Sequence, residues 1–198
     1  MNYPPPYHTE TGEARLFAAI DAIRQATLLV PSDGGLLVAF TPFLLDRERR
    51  VLRGHVARRN PQADLFDGRE VEVIFHGPHA YISPQLNGND DVPTWNYVNV
   101  HVTGRAVRVE GEAKTWQFLC DMIRAMEKGN TAAYLASQER KLRKLLNGIV
   151  ALEVTVDRLR GRFKLGRNDP EPLQERTFQA LRAETPPSLR AWLDTLAP

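Results

Sequence analysis

The chain has 198 residues, 42% of them hydrophobic, and 26 basic against 24 acidic side chains for a formal charge of +2. This is enough for one domain with a sizeable core, and so even a charge balance excludes a strongly basic nucleic-acid scaffold, although a pI near 8.8 leaves room for a local basic patch. No apolar run approaches the roughly 20 residues that span a bilayer, the start Met1-Asn2-Tyr3-Pro4-Pro5-Pro6 lacks the apolar stretch of a signal peptide, and the single Cys120 cannot close an internal disulfide, so a soluble, cytoplasmic protein with no membrane partner is expected.

Leu16, Ile20 and Ile23 recur at helical spacing behind Thr11 and predict a first helix over 12–26. The period then changes. Residues 27–31, 36–41 and 51–56 read as strands, separated by Ser32-Asp33-Gly34-Gly35 and by the charged turn Asp46 to Arg50, which is the pattern of an antiparallel meander. Asn60-Pro61 marks a turn or a short helix before a strand over 71–75. Gly77-Pro78 is expected to break that strand, which resumes over 80–83. A long strand over 95–110 follows, in which Val98, Val100 and Val102 alternate with Asn99, His101 and Thr103. Side chains alternate faces along a strand, so the valines are expected in a core and Tyr97, Asn99, His101 and Thr103 on the other face. Two helices are predicted at about 112–127 and 131–146, joined by Lys128-Gly129-Asn130, then a strand over 149–156, a basic stretch over 158–167, and two short helices around Pro186-Pro187. Six to eight short strands with few long crossovers favour an antiparallel barrel decorated by helices. Cys120 shares a helix face with Trp116, Leu119 and Ile123, the setting of an inert buried thiol.

Several clusters carry chemistry. Gly54-His55-Val56-Ala57-Arg58-Arg59-Asn60-Pro61-Gln62 puts an imidazole, two guanidinium groups and two amides where a strand turns, and guanidinium forks bind phosphate in pairs of bonds. The competing reading is a solvated turn. Neither a P-loop nor a dinucleotide fingerprint is present. His76, His79 and His101 with Asp90 and Asp91 form a weak metal-ligand set, and no metal site is expected. Ser83 lacks the glycine-flanked elbow of hydrolases. Trp95 and Tyr97 either flank a planar ring or pin the loop over 84–94. The helix ending Arg140, Lys141, Arg143, Lys144 follows another helix and a three-residue turn, the outline of a helix-turn-helix, although a solvated face explains it as well.

Together these residues resemble the PaiB-type family of FMN-binding negative transcriptional regulators. The resemblance rests on the 54–62 motif, on Gly77-Pro78-His79-Ala80-Tyr81-Ile82-Ser83-Pro84, and on Val92-Pro93-Thr94-Trp95-Asn96-Tyr97-Val98 with Val100-His101-Val102. Tyr3 and Pro5, Pro42 with Leu44-Leu45-Asp46, and Gly148-Ile149-Val150 followed by Phe163-Lys164-Leu165 and Asn168 extend it over nearly the whole chain. It implies an α+β fold, an antiparallel split β-barrel of the FMN-binding type with peripheral helices, as a single domain over 1–198 with a helical hairpin at about 112–146 and a helical tail at about 170–198. It further implies a homodimer with FMN at the subunit interface. In that frame His55 and Arg58, with Asn60 and Gln62, stand at the phosphate end. Tyr81, Ser83, Thr94, Trp95, Asn96 and Tyr97 supply wall and edge to the ring, while Lys164 and Asn168 reach toward the partner's site. Ala63 and Leu86-Asn87 stand where family members usually carry aromatic residues, which predicts a smaller stacking surface and a weaker hold on FMN.

Two functions fit. One is a flavin-binding negative regulator with DNA as partner; the other is a flavin- or haem-dependent oxidoreductase on the same barrel. Fold alone does not choose between them.

Overall fold

The computed structural model describes residues 5–87, 92–127 and 129–198; Tyr3, Asp90, Asp91 and Lys128, all named above, lie outside them. In chain order the strands are β1 (Thr9–Glu10), β2 (Gln25–Ser32), β3 (Gly35–Pro42), β4 (Leu44–Asp46), β5 (Val51–Ala57), β6 (Asp67–Ile82), β7 (Thr94–Arg108), β8 (Ile149–Thr155) and β9 (Arg158–Lys164). The helices are α1 (Glu13–Ile23), α2 (Glu112–Met126), α3 (Thr131–Leu145), α4 (Glu171–Glu184) and α5 (Pro187–Leu193). The hydrogen-bonded path among the described residues is β3-β2-β6-β7-β8-β5-β4, with β9 joined to β1 and β7, and the ladders β2–β3, β4–β5, β5–β8 and β7–β8 are antiparallel. The α+β expectation therefore holds, as an antiparallel sheet whose path does not close on itself.

The chain divides into two compact units. One comprises Gln25–Val73 and Thr103–Arg158. Its core is built from alternate residues of its strands, among them Leu28, Val30, Leu52, Val71, Val73, Leu152 and Val154, all buried. The Thr41 hydroxyl donates to the His55 carbonyl oxygen at 2.6 Å and ties β3 to β5. Helix α2 serves two layers at once: Phe118 and Met122, four residues apart, pack with Ala151 of β8, whereas Cys120 packs with Leu135 and Leu142 of α3. Asn130 caps α3, its side-chain oxygen accepting from the Ala133 amide at 3.1 Å. Cys120 is buried, and burial pushes its thiol pKa up, as befits an inert thiol.

The other unit comprises Met1–Arg24, Ile74–Val102 and Leu159–Pro198. Leu16, Phe17, Ala19 and Ile20 bury one face of α1, and Leu173, Phe178 and Leu181 bury one face of α4. Val98, Val100 and Val102 are fully buried, as their alternation predicts. Thr103, in the first unit, keeps the face opposite the valines that is expected of it, and is buried there with its hydroxyl donating to Glu72 at 2.9 Å.

Two local expectations need correcting. Gly77-Pro78 does not interrupt β6, which runs unbroken through it. Instead the burial alternation slips there by one residue: His76 is exposed, Gly77 and Pro78 are both buried, and His79 and Tyr81 are exposed. Such a slip is the mark of a bulge, a position where proline's missing N–H is tolerated. A side chain at Gly77 would come within 2.7 Å of the Val98 carbonyl oxygen, so only glycine lets β7 pass this closely. The second correction concerns the basic stretch, which forms β9: Arg158, Arg160, Arg162 and Lys164 alternate with Leu159, Gly161, Phe163 and Leu165. That period of two was present in the residue order and was masked by the density of charge.

Candidate functional site

The twelve residues singled out above divide between the units: His55, Arg58, Asn60 and Gln62 lie in the first, and Tyr81, Ser83, Thr94, Trp95, Asn96, Tyr97, Lys164 and Asn168 in the second. In the first unit, β5 runs into the turn because Asn60 accepts from the Gln62 amide at 2.9 Å and Pro61 opens a short 3-10 helix, Pro61–Leu65. Arg58, in the turn just past β5, donates through Nε to the Asn147 carbonyl oxygen at 2.8 Å and through Nη2 to that of Ile149 at 2.9 Å. Gln62 is fully buried, and its side-chain nitrogen donates to the Leu28 carbonyl oxygen at 3.3 Å. His55 lies 5.9 Å from the Phe118 ring, centre to centre, and burial lowers its pKa. Gly54 explains the glycine of the motif, since a β-carbon there would stand 2.6 Å from the ring of the fully buried Phe43.

Beside this turn is a cleft of about 550 Å³ whose walls carry Arg49, Arg53, Arg108 and Lys114 together with Asp121 and Glu153. Arg53 donates from both terminal nitrogens to Asp121 Oδ2 at 3.1 Å, and its guanidinium stands 5.7 Å from the centre of the Phe118 ring. Arg49 grips Glu153 with two bonds, of 2.9 and 2.7 Å, and this hydrogen bond holds the Glu153 carboxyl below its usual range. Sequence reasoning missed Arg53 and Arg49 because each sits in a strand or turn already explained by its neighbours.

In the second unit Tyr81 and Trp95, each about half exposed, meet edge to face at 6.1 Å, and His79 lies 6.1 Å from Trp95. They line a cleft of about 590 Å³ with Glu184, Pro186 and Leu189. Ser83 accepts from the Gln85 amide at 3.2 Å, at the start of the short 3-10 helix Pro84–Asn87. Thr94 is bonded to the Lys164 ammonium, and Asn168 donates to Asp169 at 3.3 Å. Asn96 is buried on the valine side of β7, whereas Tyr97, Asn99 and His101 are half-buried on the other. That polar face meets β9: the Arg162 guanidinium lies 5.5 Å from the Tyr97 ring centre, and a groove of about 740 Å³ is lined by Tyr97, Asn99, His101, Arg160, Arg162 and Thr9, among others. No helix among the described residues is long and apolar enough to cross a membrane, and no cluster of three metal-ligating side chains occurs among them.

Comparison with known proteins places these features in a family. Residues 2–158 match the family described as "Putative FMN-binding domain". Over 193 residues the chain is 28% identical to the Protease synthase and sporulation protein PAI 2 of Bacillus subtilis (strain 168), covering 95% of this chain and 93% of that protein. Among solved structures, the flavocytochrome Anf3 from Azotobacter vinelandii matches with a TM-score of 0.61 at 16% identity, covering 79% of this chain and 69% of that one. The FAD and haem binding protein from Mycobacterium smegmatis matches with a TM-score of 0.58 at 17% identity, covering 79% and 73%. At such identities the two structures speak for the fold.

Proposed function

This chain belongs to the FMN-binding domain family, a flavin, FMN included, is accordingly its cofactor, and from that premise we propose that it is a negative regulator of transcription that acts as an FMN-holding homodimer. The residues fit such a group. Two buried polar atoms in the 54–62 region, His55 Nδ1 and Gln62 Oε1, have no hydrogen-bond partner among the described residues, and buried polar atoms left so are normally satisfied by a ligand or by water. In this reading Arg58 and Asn60 serve the phosphate end with His55 and Gln62 behind them. Tyr81, Trp95 and Tyr97 supply aromatic surface, and Ser83, Thr94 and Asn96 polar groups. Lys164 and Asn168 reach toward the partner. The flavin, when bound, supplies reversible electron acceptance; the protein supplies position and charge.

Support for the dimer comes from β2 and β3. Leu36, Val38 and Phe40 project from β3 at 58, 52 and 73% exposure, and their cross-strand partners are Pro31, Leu29 and Thr27. These six side chains make an uncharged, largely apolar face on the outer strand of the path, and a two-fold partner presenting the same face covers it without setting like charges together. The observation that carries the regulatory reading is the exposed basic end of α3, where Arg140, Lys141 and Lys144 face solvent and a two-fold axis would present them twice to a duplex. Arg143 is committed elsewhere, bonded to Glu139 at 2.8 Å and stacked 4.4 Å from the Trp116 ring centre. The name of the Bacillus relative, a protease synthase and sporulation protein, is in keeping with control of expression. Titration of a labelled promoter fragment, with and without FMN, tests the proposal; absence of binding in both states overturns it.

A second reading, a flavin- or haem-dependent oxidoreductase, draws on the exposed aromatic pair Tyr81 and Trp95 beside His79, and on the names of the flavocytochrome and of the FAD and haem binding protein. Turnover of a reduced nicotinamide by the flavin-loaded protein favours it.

A further inference from the structure

We infer that the cleft walled by Tyr81, Trp95 and His79 takes an alkylated ammonium ion, a quaternary one above all, which shares with the flavin the aromatic surface proposed for it. The inference rests on that reading of Tyr81 and Trp95 and adds a second ligand to it. The slip in β6 builds the wall. Had the alternation run on unbroken from His76, His79 and Tyr81 would face the core; with Gly77 and Pro78 both buried, they face outward as His76 does. There they meet Trp95 of the neighbouring β7. Its ring centre lies 6.1 Å from that of Tyr81 at an interplanar angle of 66°, and 6.1 Å from that of His79 at 37°. The His79 ring is held by its Nδ1, which donates to the Gly77 carbonyl oxygen at 3.3 Å.

Shape selects a rounded group. Rings at these angles do not all lie flat on one planar molecule, so a flavin ring uses one of them and leaves the corner between them to something compact in three dimensions. The cleft, of about 590 Å³, has room for it. Charge selects a cation. Aromatic faces attract positive charge, and among the described residues the carboxylate lining the cleft is Glu184, while no lysine or arginine lines it. The guanidinium groups nearest Glu184 in the chain are committed elsewhere: Arg182 donates to Asp194 at 2.6 and 3.0 Å, and Arg190 to the carbonyl oxygens of Thr185 and Ala183 at 2.9 and 3.4 Å. Hydration selects the alkyl groups. A bare ammonium is a compact, strongly hydrated charge, whereas methyl groups spread that charge, lower the cost of leaving water and let several ring faces act on it at once. Pro186 and Leu189 give those methyl groups apolar wall.

Calorimetric titration of the FMN-loaded protein with choline and with neohexanol, in which carbon replaces the quaternary nitrogen, tests the inference. Choline is expected to bind at least about tenfold more tightly than the alcohol. Glu184→Gln, on an exposed side chain outside the residues proposed for FMN, should weaken choline by about fivefold while FMN affinity stays as in the parent. Trp95→Leu, read at saturating FMN, should weaken it by about tenfold. Equal affinity for the alcohol, unchanged choline affinity in either variant, or no heat from choline at about 10 mM overturns the site. FMN uptake is followed separately by flavin absorbance. A protein that takes up no FMN overturns the flavin reading, and the same comparison of choline with the alcohol still decides the corner. Displacement of choline by added FMN overturns the sharing of the aromatic surface.

Discussion

His55 and His8 share an electrostatic situation with a direct consequence for stability. Burial is the main reason that each imidazole is held below its ordinary value of 6.5, with the charges of Lys164 and Arg162 adding to the effect at His8. In the unfolded chain both take up a proton as pH falls through about 6.5, whereas in the folded chain they resist it. The unfolded state therefore binds more protons in this window, and stability is lost as pH drops below about 6.5 toward the lower folded values. Thermal melts from pH 7.5 to 5.5 should show a falling midpoint, and His55→Gln should flatten part of that fall; a variant as steep as the parent would assign the dependence to other groups. Arg58 offers a second test at this scale. Its bonds to two main-chain carbonyls anchor the turn after α3, and in the proposed site it also meets the phosphate. Arg58→Ala should then weaken FMN by about tenfold to a hundredfold, since a charge-assisted bond is worth about 1.5 to 3 kcal/mol, and riboflavin much less. Equal losses for both flavins would leave only the anchoring role. The 54–62 motif was legible in the residue order as a group of phosphate-type side chains. Its main-chain anchors were not, because Asn147 and Ile149 stand some ninety residues away.

Among the elements, β5 and the outer strand β3 carry the sharpest expectations. Gly54 is pinned by the Phe43 ring, so Gly54→Ala must push a fully buried aromatic out of place; overpacking of this kind costs about 1 to 3 kcal/mol, measurable as a lower denaturation midpoint at unchanged slope. Phe40→Glu, on the uncharged face of β2 and β3, should turn the proposed dimer into a monomer in sedimentation at micromolar concentration, because two-fold symmetry brings the new charge in twice. A dimer that survives the change has its interface elsewhere. Periodicity identified most strands and helices, including the α2 and α3 pair, since patterns of two and 3.6 are properties of the local chain. It failed where a tertiary neighbour decides: at Gly77-Pro78 the approach of Val98 and a one-residue slip keep β6 continuous, and at β9 pairing with β1 and β7 makes a strand of what reads as a charge run.

For the whole molecule, regulation and chemistry are separable by measurement. If α3 meets DNA, Lys141→Gln with Lys144→Gln should lower affinity for all sequences alike and flatten the salt dependence by about two units, while the flavin spectrum stays unchanged. Unaltered binding would assign the contact to another surface. Family, fold class and cofactor were determined by the sequence alone, because the motifs at 54–62, 77–84 and 92–102 are runs of neighbouring residues whose types and order survive without coordinates. Only the tertiary structure decided how those residues are used. It buries Gln62 and Asn96, commits Arg58 to main-chain carbonyls, sets Arg53 against Asp121, and aligns Arg160 and Arg162 with Tyr97, Asn99 and His101. The physical reason is that burial, charge pairing and groove walls arise between segments far apart in the chain, where neither composition nor local period carries information.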